Sequence, residues 1–185
     1  MRKIRVIKRR IIYQGPVIRL VHEWLKTSQG QPMIRETIQH PGSVVIAPLL
    51  DREHLVFVRQ YRRAIDREIL ELPAGTLDVA GESILACARR ELEEETGWKA
   101  SCMRLIARFY AAPGLLSEQM HLFIAEELTP VGAHPQADEE VKPVILSLDE
   151  AIVKIQTGLI CDAKTIIGVW LTLGKLASSK LHLKH

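Results

Sequence analysis

The sequence predicts a mixed α/β unit preceded by a β-rich extension, and three observations carry that expectation. Residues 4–40 hold three short runs rich in β-formers, parted by turn residues. A second series of β-branched runs starts at Ser43. One strongly patterned helical stretch follows at Ser83–Thr96, and two more close the chain. At 185 residues there is enough chain for one sizeable hydrophobic core. A composition of 47% hydrophobic against 25% charged residues excludes disorder.

The net charge of +3 is mild and is concentrated in the opening "MRKIRVIKRR". A nucleic-acid-binding arm is one reading of that stretch. Ile4, Val6 and Ile7 interleave with its Arg and Lys residues, as in a strand with one wet face, and that reading is preferred. Cys87, Cys102 and Cys161 are odd in number and show neither C-x-x-C spacing nor a nearby His at zinc-finger intervals. They read as free thiols in a reducing compartment. The charged start lacks a signal-peptide apolar stretch, and no apolar run approaches a membrane span. The expected location is therefore cytoplasmic, with no membrane partner.

Taken in order, "IRVIKRRIIY", "VIRLVHEWL" and "PMIRETIQH" are expected strands, with turns at Gln14-Gly15-Pro16 and Ser28-Gln29-Gly30. Three strands make a thin sheet, so residues 1–40 are assigned to an extension that packs on the rest or on another subunit, and residues 41–185 to the main domain. "SVVIAPLL" and "HLVFVRQY", joined by "DREH", are expected to form a hairpin of core strands. "EILELPAG" reads as a short strand entering a turn, and "TLDVAGE" as a loop. The helix from Ser83 stops at Gly97, which can take the left-handed cap, and Leu85, Ala88 and Leu92 form its predicted apolar stripe. "CMRLIARFYA" and "QMHLFIAEEL" are strands around the loop "APGLLSE", and "VKPVILS" is a further strand after the polar "HPQADEE". Ser147 with Glu150 forms a capping-box signature, and Asp162 is placed to cap the last helix.

The stretch "RELEEETGW" crowds Glu91, Glu93, Glu94 and Glu95 together. At about 100° per residue, Glu95 lies roughly 40° from Glu91 and Glu94 roughly 60° to its other side, so these three share a face. Glu93 points away, toward Arg89 at i−4. A solvated face with intrahelical ion pairs would explain Glu93 with Arg89 and Glu94 with Arg90. It leaves Glu91 and Glu95 as a like-charged i,i+4 pair costing about 0.2–0.5 kcal/mol. A divalent cation would turn that repulsion into attraction, and hard oxygen donors favour Mg²⁺ or Mn²⁺ over zinc. On spacing alone both readings stand.

Residues Arg90–Trp98 resemble the second half of the Nudix box, an R-E-apolar-x-E-E-x-G-apolar run preceded by a Glu eight positions before the Arg, where this chain has Glu82. The first half departs from the pattern, with six residues between Gly75 and Glu82 in place of the usual five. The extra residue falls in the loop and leaves the helix face intact. The resemblance implies the Nudix fold, an α/β/α sandwich around a mixed sheet. It also implies two or more Mg²⁺ or Mn²⁺ ions bound by Glu91, Glu95 and Glu94, with Glu82 close by and the Ala74 carbonyl contributing. Arg90 takes the place of the residue that buttresses these carboxylates.

Outside the box, "VRQYRRA" with "LELPAG", Pro113 sixteen residues beyond Gly97, "APGLLSE" and "GLICDAKTI" are similar to the ADP-ribose pyrophosphatase branch. That likeness implies hydrolysis of ADP-ribose to AMP and ribose 5-phosphate. Arg62 is then either a solvated strand end or a guanidinium aimed at the pyrophosphate, where planar bidentate geometry helps. Arg59 and Arg63 are weaker candidates of the same kind. Glu118 is assigned to the terminal ribose or a metal, and Tyr13 or Trp24 to stacking on adenine or, equally, to burial in the extension. Glu139 is expected as general base, with Glu140 in reserve. A homodimer through the N-terminal strands is also expected. The alternatives are hydrolysis of GDP-mannose or another nucleotide sugar, a non-catalytic nucleotide-sugar-binding regulator, and an RNA-directed pyrophosphohydrolase, against which "APGLLSE" argues.

Overall fold

The computed structural model describes residues 4–132 and 140–182. The chain divides into two compact units, Met1–Gly42 with Phe109–Gln119, and Ser43–Arg108 with Met120–His185. The segment Phe109–Gln119 thus clusters with the N-terminal strands, although more than sixty residues separate them in sequence.

In the first unit, β1 (Arg5–Gln14), β2 (Arg19–Lys26) and β3 (Pro32–Gln39) form an antiparallel meander in that order. Gly30, at φ 82°, makes the second turn possible, because a side chain there would be strained. The edge strand β1 is irregular between Val6 and Lys8 and between Ile11 and Tyr13. Every residue of β1 is exposed, whereas Val21 and Leu25 of β2 are buried. The "APGLLSE" loop is stitched to the end of β3 by Ile38 N–H to the Leu115 carbonyl, 2.8 Å, Ser117 N–H to the Ile38 carbonyl, 2.9 Å, and His40 N–H to the Ser117 hydroxyl, 3.0 Å.

The second unit holds two sheets. One has the order β7 (Ala74–Thr76), β4 (Ser43–Pro48), β9 (Gln119–Pro130), β8 (Trp98–Tyr110), with β4 parallel to β9 and antiparallel to β7, so it is mixed as expected. The other has the order β10 (Val141–Ser147), β5 (His54–Arg62), β6 (Arg67–Glu71), all antiparallel. The predicted β4–β5 hairpin does not form, and an isolated bridge between Leu49 and Leu55 is what joins them. The physical reason is that β4, buried at all six positions, takes strand partners on both edges, and the turn instead hands the chain to the next sheet. Likewise "PAG" is not only a turn, since Ala74 and Gly75 pair with Val45 and Val44 as β7.

Helix α1 (Ile84–Thr96) covers one face of the mixed sheet, packing Cys87, Ala88 and Leu92 on Val44, Ile46, Phe123 and Ala125. Its predicted stripe needs one correction. Leu85 is 40% exposed; Cys87, i−1 to Ala88, takes the buried position, and Ile84, i−4 to Ala88, packs partly buried beside it. The N-cap is Ser83, whose hydroxyl accepts from the Ala86 N–H, and the C-cap is Gly97 at φ 73°. Helix α2 (Leu148–Gln156) begins with the expected reciprocal capping box of Ser147 and Glu150. Helix α3 (Ala163–His182) lies on the opposite face, where Gly168 sits so close to Leu72 and Leu122 that a Cβ would overlap the Leu72 side chain. No helix among the described residues is long and apolar enough to cross a membrane.

Candidate active site

The acidic residues of α1 meet the strand β7 and the loop after it. The Ala74 backbone N–H donates to Glu95 Oε2 at 3.1 Å, and the Glu91 carboxyl lies so close to Gly75 that any Cβ there would occupy the same space. Both carboxylates are almost fully buried, at 6% exposure for Glu91 and 3% for Glu95. The glycine that opens the Nudix-like segment is thus required by a close approach of Glu91 to the backbone.

Arg90 organises the acids around it. Its Nε and Nη2 donate to the two oxygens of Glu82 at 2.9 and 3.0 Å, and its Nη1 donates to Glu91 Oε1 at 2.7 Å and Glu94 Oε2 at 3.2 Å. The guanidinium pKa is pushed up, first by the bonds to Glu82, while those bonds hold the Glu82 carboxyl below the usual carboxylate range. The extra residue after Gly75 is absorbed in a turn in which Gly81 takes φ 81° and Glu82 N–H returns to the Val79 carbonyl, so Glu82 still reaches Arg90. Cys87 beneath this cluster is fully buried; burial and then the nearby Glu91 charge push its thiol up to about 12, so it stays a neutral thiol at pH 7.

Of the two ion pairs expected on α1, Glu94 with Arg90 forms and Glu93 with Arg89 does not. Arg89 donates to the Ala100 carbonyl at 3.0 Å, and Glu93 lies 4.0 Å from Lys99. The start of β8 comes back alongside the helix and offers these residues better partners than each other. Glu91, assigned no cation by i,i+4 spacing, is paired with its own neighbour Arg90.

Glu82, Glu91 and Glu94 around the Arg90 guanidinium, with Glu95 at the Ala74 N–H, bring four carboxylates and only oxygen donors to this end of the helix. That donor set fits a hard dication such as Mg²⁺. Among the described residues no three acidic, His or Cys side chains converge on a single point, because Arg90 draws Glu82, Glu91 and Glu94 to itself.

Beside this cluster stands a second one, in which Arg62 and Asp162 are joined by two residues not expected there, Glu71 and Lys164. Glu71, at the end of β6, is wholly buried and receives Arg62 Nε at 2.6 Å and Nη2 at 2.8 Å. Lys164, in the first turn of α3, also donates to Glu71 and to Asp162 at 3.0 Å. Burial pushes the Glu71 carboxyl up, but the two cations outweigh it and hold the group below its ordinary range. Arg62 is shifted upward, first by its bonds to Glu71, and it feels the charge of Glu95 as well. An acid inside the apolar "EILELPAG" and a lysine directly after a helix start were the signals available for finding this group.

The remaining expected residues are more scattered. Arg59 is exposed and lies on the opposite face of β5 from Arg62, lining a groove with Glu68, Leu70 and Lys154. Arg63 is bound to Asp66 at 3.0 Å in the β5–β6 turn. Glu118, Tyr13 and Trp24 belong to the first unit. The Glu118 carboxylate is 3.9 Å from His40 Nδ1, a nitrogen that accepts from the Gly42 N–H at 3.0 Å. Tyr13 is 54% exposed and covers Gly15, whereas Trp24 is half-buried with Lys8 over its ring at 5.1 Å and His22 edge-on at 5.6 Å. Glu139 lies outside the described residues; Glu140 is exposed at the foot of β10.

Comparison with known proteins places the chain among relatives of one family. The NUDIX domain family matches residues 39–167. The chain is 35% identical to the ADP-ribose pyrophosphatase of Bacillus subtilis (strain 168), over 89% of this chain and 90% of that protein. It is 36% identical to the methanol dehydrogenase activator of Bacillus methanolicus, over 89% of this chain and 90% of the relative. A crystal structure of an ADP compounds hydrolase superposes with a TM-score of 0.85 at 22% identity, covering 97% of both chains, which is a likeness of fold. With the box residues gathered at one helix and the family matched across most of the sequence, this chain belongs to the Nudix family.

Proposed function

We propose that the protein hydrolyses the pyrophosphate bond of ADP-ribose, or a closely related ADP-sugar, to AMP and a sugar phosphate. The observation that carries the proposal is the Arg90 cluster, in which Glu82, Glu91 and Glu94 are held by one guanidinium while Glu95 is held by the Ala74 N–H. Carboxylates gathered this closely, two of them buried, are costly in isolation and make sense where dications and a charged substrate join them. The 35% identity to an ADP-ribose pyrophosphatase supports the choice of substrate.

Glu91, Glu95 and Glu94 would hold two or more Mg²⁺ or Mn²⁺ ions, with the Ala74 carbonyl and Glu82 adjoining. What bound dications supply is Lewis acidity at the pyrophosphate and at the attacking water. The chain's own residues supply the rest. Arg90 holds the carboxylates in place, and Arg62 offers a guanidinium to the phosphates. Glu139, with Glu140 in reserve, is proposed to take the proton of the water. Glu118 of the first unit is proposed to contact the terminal ribose, and the exposed ring of Tyr13 to stack on adenine in preference to the covered ring of Trp24. A homodimer through the first unit is supported by β1, an edge strand on which Val6, Ile7, Ile11 and Ile12 are all about half exposed. A monomer at micromolar concentration in light scattering would overturn that part.

The deciding experiment offers purified protein a panel of ADP-ribose, ADP-sugars and GDP-mannose, with and without Mg²⁺. AMP release from ADP-ribose only with Mg²⁺ is the expected result, and no release from any ADP-sugar would overturn the proposal. A second reading, a regulator of a partner enzyme, is favoured by the 36% identity to a methanol dehydrogenase activator. Nucleotide-sugar binding without turnover would select it.

A further inference from the structure

We infer that Lys164 is a positioning residue that presents Arg62 to the substrate pyrophosphate, acting through the buried carboxylate of Glu71. The inference rests on the proposed hydrolysis and adds a residue to it. Arg62 uses its Nε–Nη2 edge on Glu71, leaving Nη1 outside the pair, and the side chain remains 39% exposed. An unrestrained arginine carries rotamer entropy that binding must overcome. Holding it in advance lowers that cost.

Glu71 can act as the holder only if it stays ionised and does not turn away, and a wholly buried carboxylate with a single cation meets neither condition well. Lys164 supplies the second cation. It is itself 8% exposed and is fixed by Asp162 at 3.0 Å. Asp162 is in turn held as the cap of α3, accepting from the Thr165 N–H at 3.0 Å and the Thr165 hydroxyl at 2.6 Å. The same hydroxyl accepts the Leu72 N–H at 2.8 Å, so the residue after Glu71 is tied to the same helix start. Two acids and two bases make a neutral quartet that locks the end of β6 to the first turn of α3, ninety-three residues away. Its remaining freedom points out of the cluster through Arg62.

The test is a double-mutant cycle on the whole protein with Mg²⁺, using ADP-ribose turnover and calorimetric binding of its non-hydrolysable α,β-methylene analogue. Lys164→Met and Arg62→Ala should each lower kcat/KM about ten- to a hundredfold, the range for residues that orient a ligand-binding group. Combining them should cost no more than Arg62→Ala alone, and Lys164→Arg should restore most of the loss. Glu71→Gln should behave like Lys164→Met and be silent without Arg62, which serves if Lys164→Met does not fold. Additive losses in the double variants, or a lowered Tm with unchanged kcat/KM, would overturn the inference and leave the hydrolase reading standing. Wild-type protein that neither cleaves ADP-ribose nor binds the analogue would instead overturn that reading, and this inference with it.

Discussion

Arg90 grips Glu82 with two hydrogen bonds of 2.9 and 3.0 Å across eight residues of sequence, and its third nitrogen holds Glu91 and Glu94. A lysine has the charge but not the fork needed to hold three carboxylates at once. Arg90→Lys should therefore keep the fold while lowering kcat about ten- to a hundredfold. Steady-state kinetics at saturating Mg²⁺ beside a thermal melt would check this, and unchanged kcat would show that the clamp is not needed.

Gly75 touches Glu91 where a side chain would stand. In Gly75→Ala the Glu91 carboxyl must swing aside. The expected result is a raised Mg²⁺ requirement and at least about tenfold lower turnover, with overpacking limited to about 1–3 kcal/mol because the clash is with the end of a side chain. A Mg²⁺ titration of activity set against the urea midpoint separates the two effects.

Glu95 is 3% exposed and accepts the Ala74 N–H. Glu95→Gln preserves that acceptor and removes the charge, so the helix should stay seated. Turnover should fall by about 10²-fold or more, the scale of losing an electrostatic group at a reacting centre. Near-native kcat in this variant would mean that the proposed ligand set is wrong.

Glu71 makes stability depend on pH. Its folded-state pKa is depressed by Arg62 and Lys164 acting against burial. A depressed carboxylate contributes stability that is fully present above its unfolded pKa, about 4.3, and is lost as pH falls through the folded value. Wild-type stability should therefore decline below about pH 4.5. Glu71→Gln should be less stable at pH 7 and should lose less on acidification. Urea midpoints at half-unit steps from pH 3 to 7 would reveal the difference in slope, and parallel curves would remove Glu71 from the account.

Leu92 is wholly buried between α1 and the mixed sheet. Leu92→Ala should cost about 2–5 kcal/mol, the range for an aliphatic side chain deleted from a packed core. A urea midpoint close to wild type would show that α1 contributes little to the fold.

Local chemistry made much of this protein legible before any coordinates. Ser83 and Gly97 bound α1 where their caps require, because capping is decided by a few adjacent residues. The shared face of Glu91, Glu94 and Glu95 follows from helical pitch alone. The partners of these groups were not legible, because they arrive from distant parts of the chain. Arg89 turned to Ala100 once β8 came alongside, and β4 left its expected hairpin once β7 and β9 were available on both edges. Glu71 and Lys164 meet across ninety-three residues, a contact that no local propensity encodes. Residue order thus settled the helices, the caps and the acidic face, since these depend on neighbours within a turn or two. Only folding in three dimensions settled sheet membership and the pairing of buried charges, since a charge taken out of water must find whichever counter-charge the packed chain places beside it.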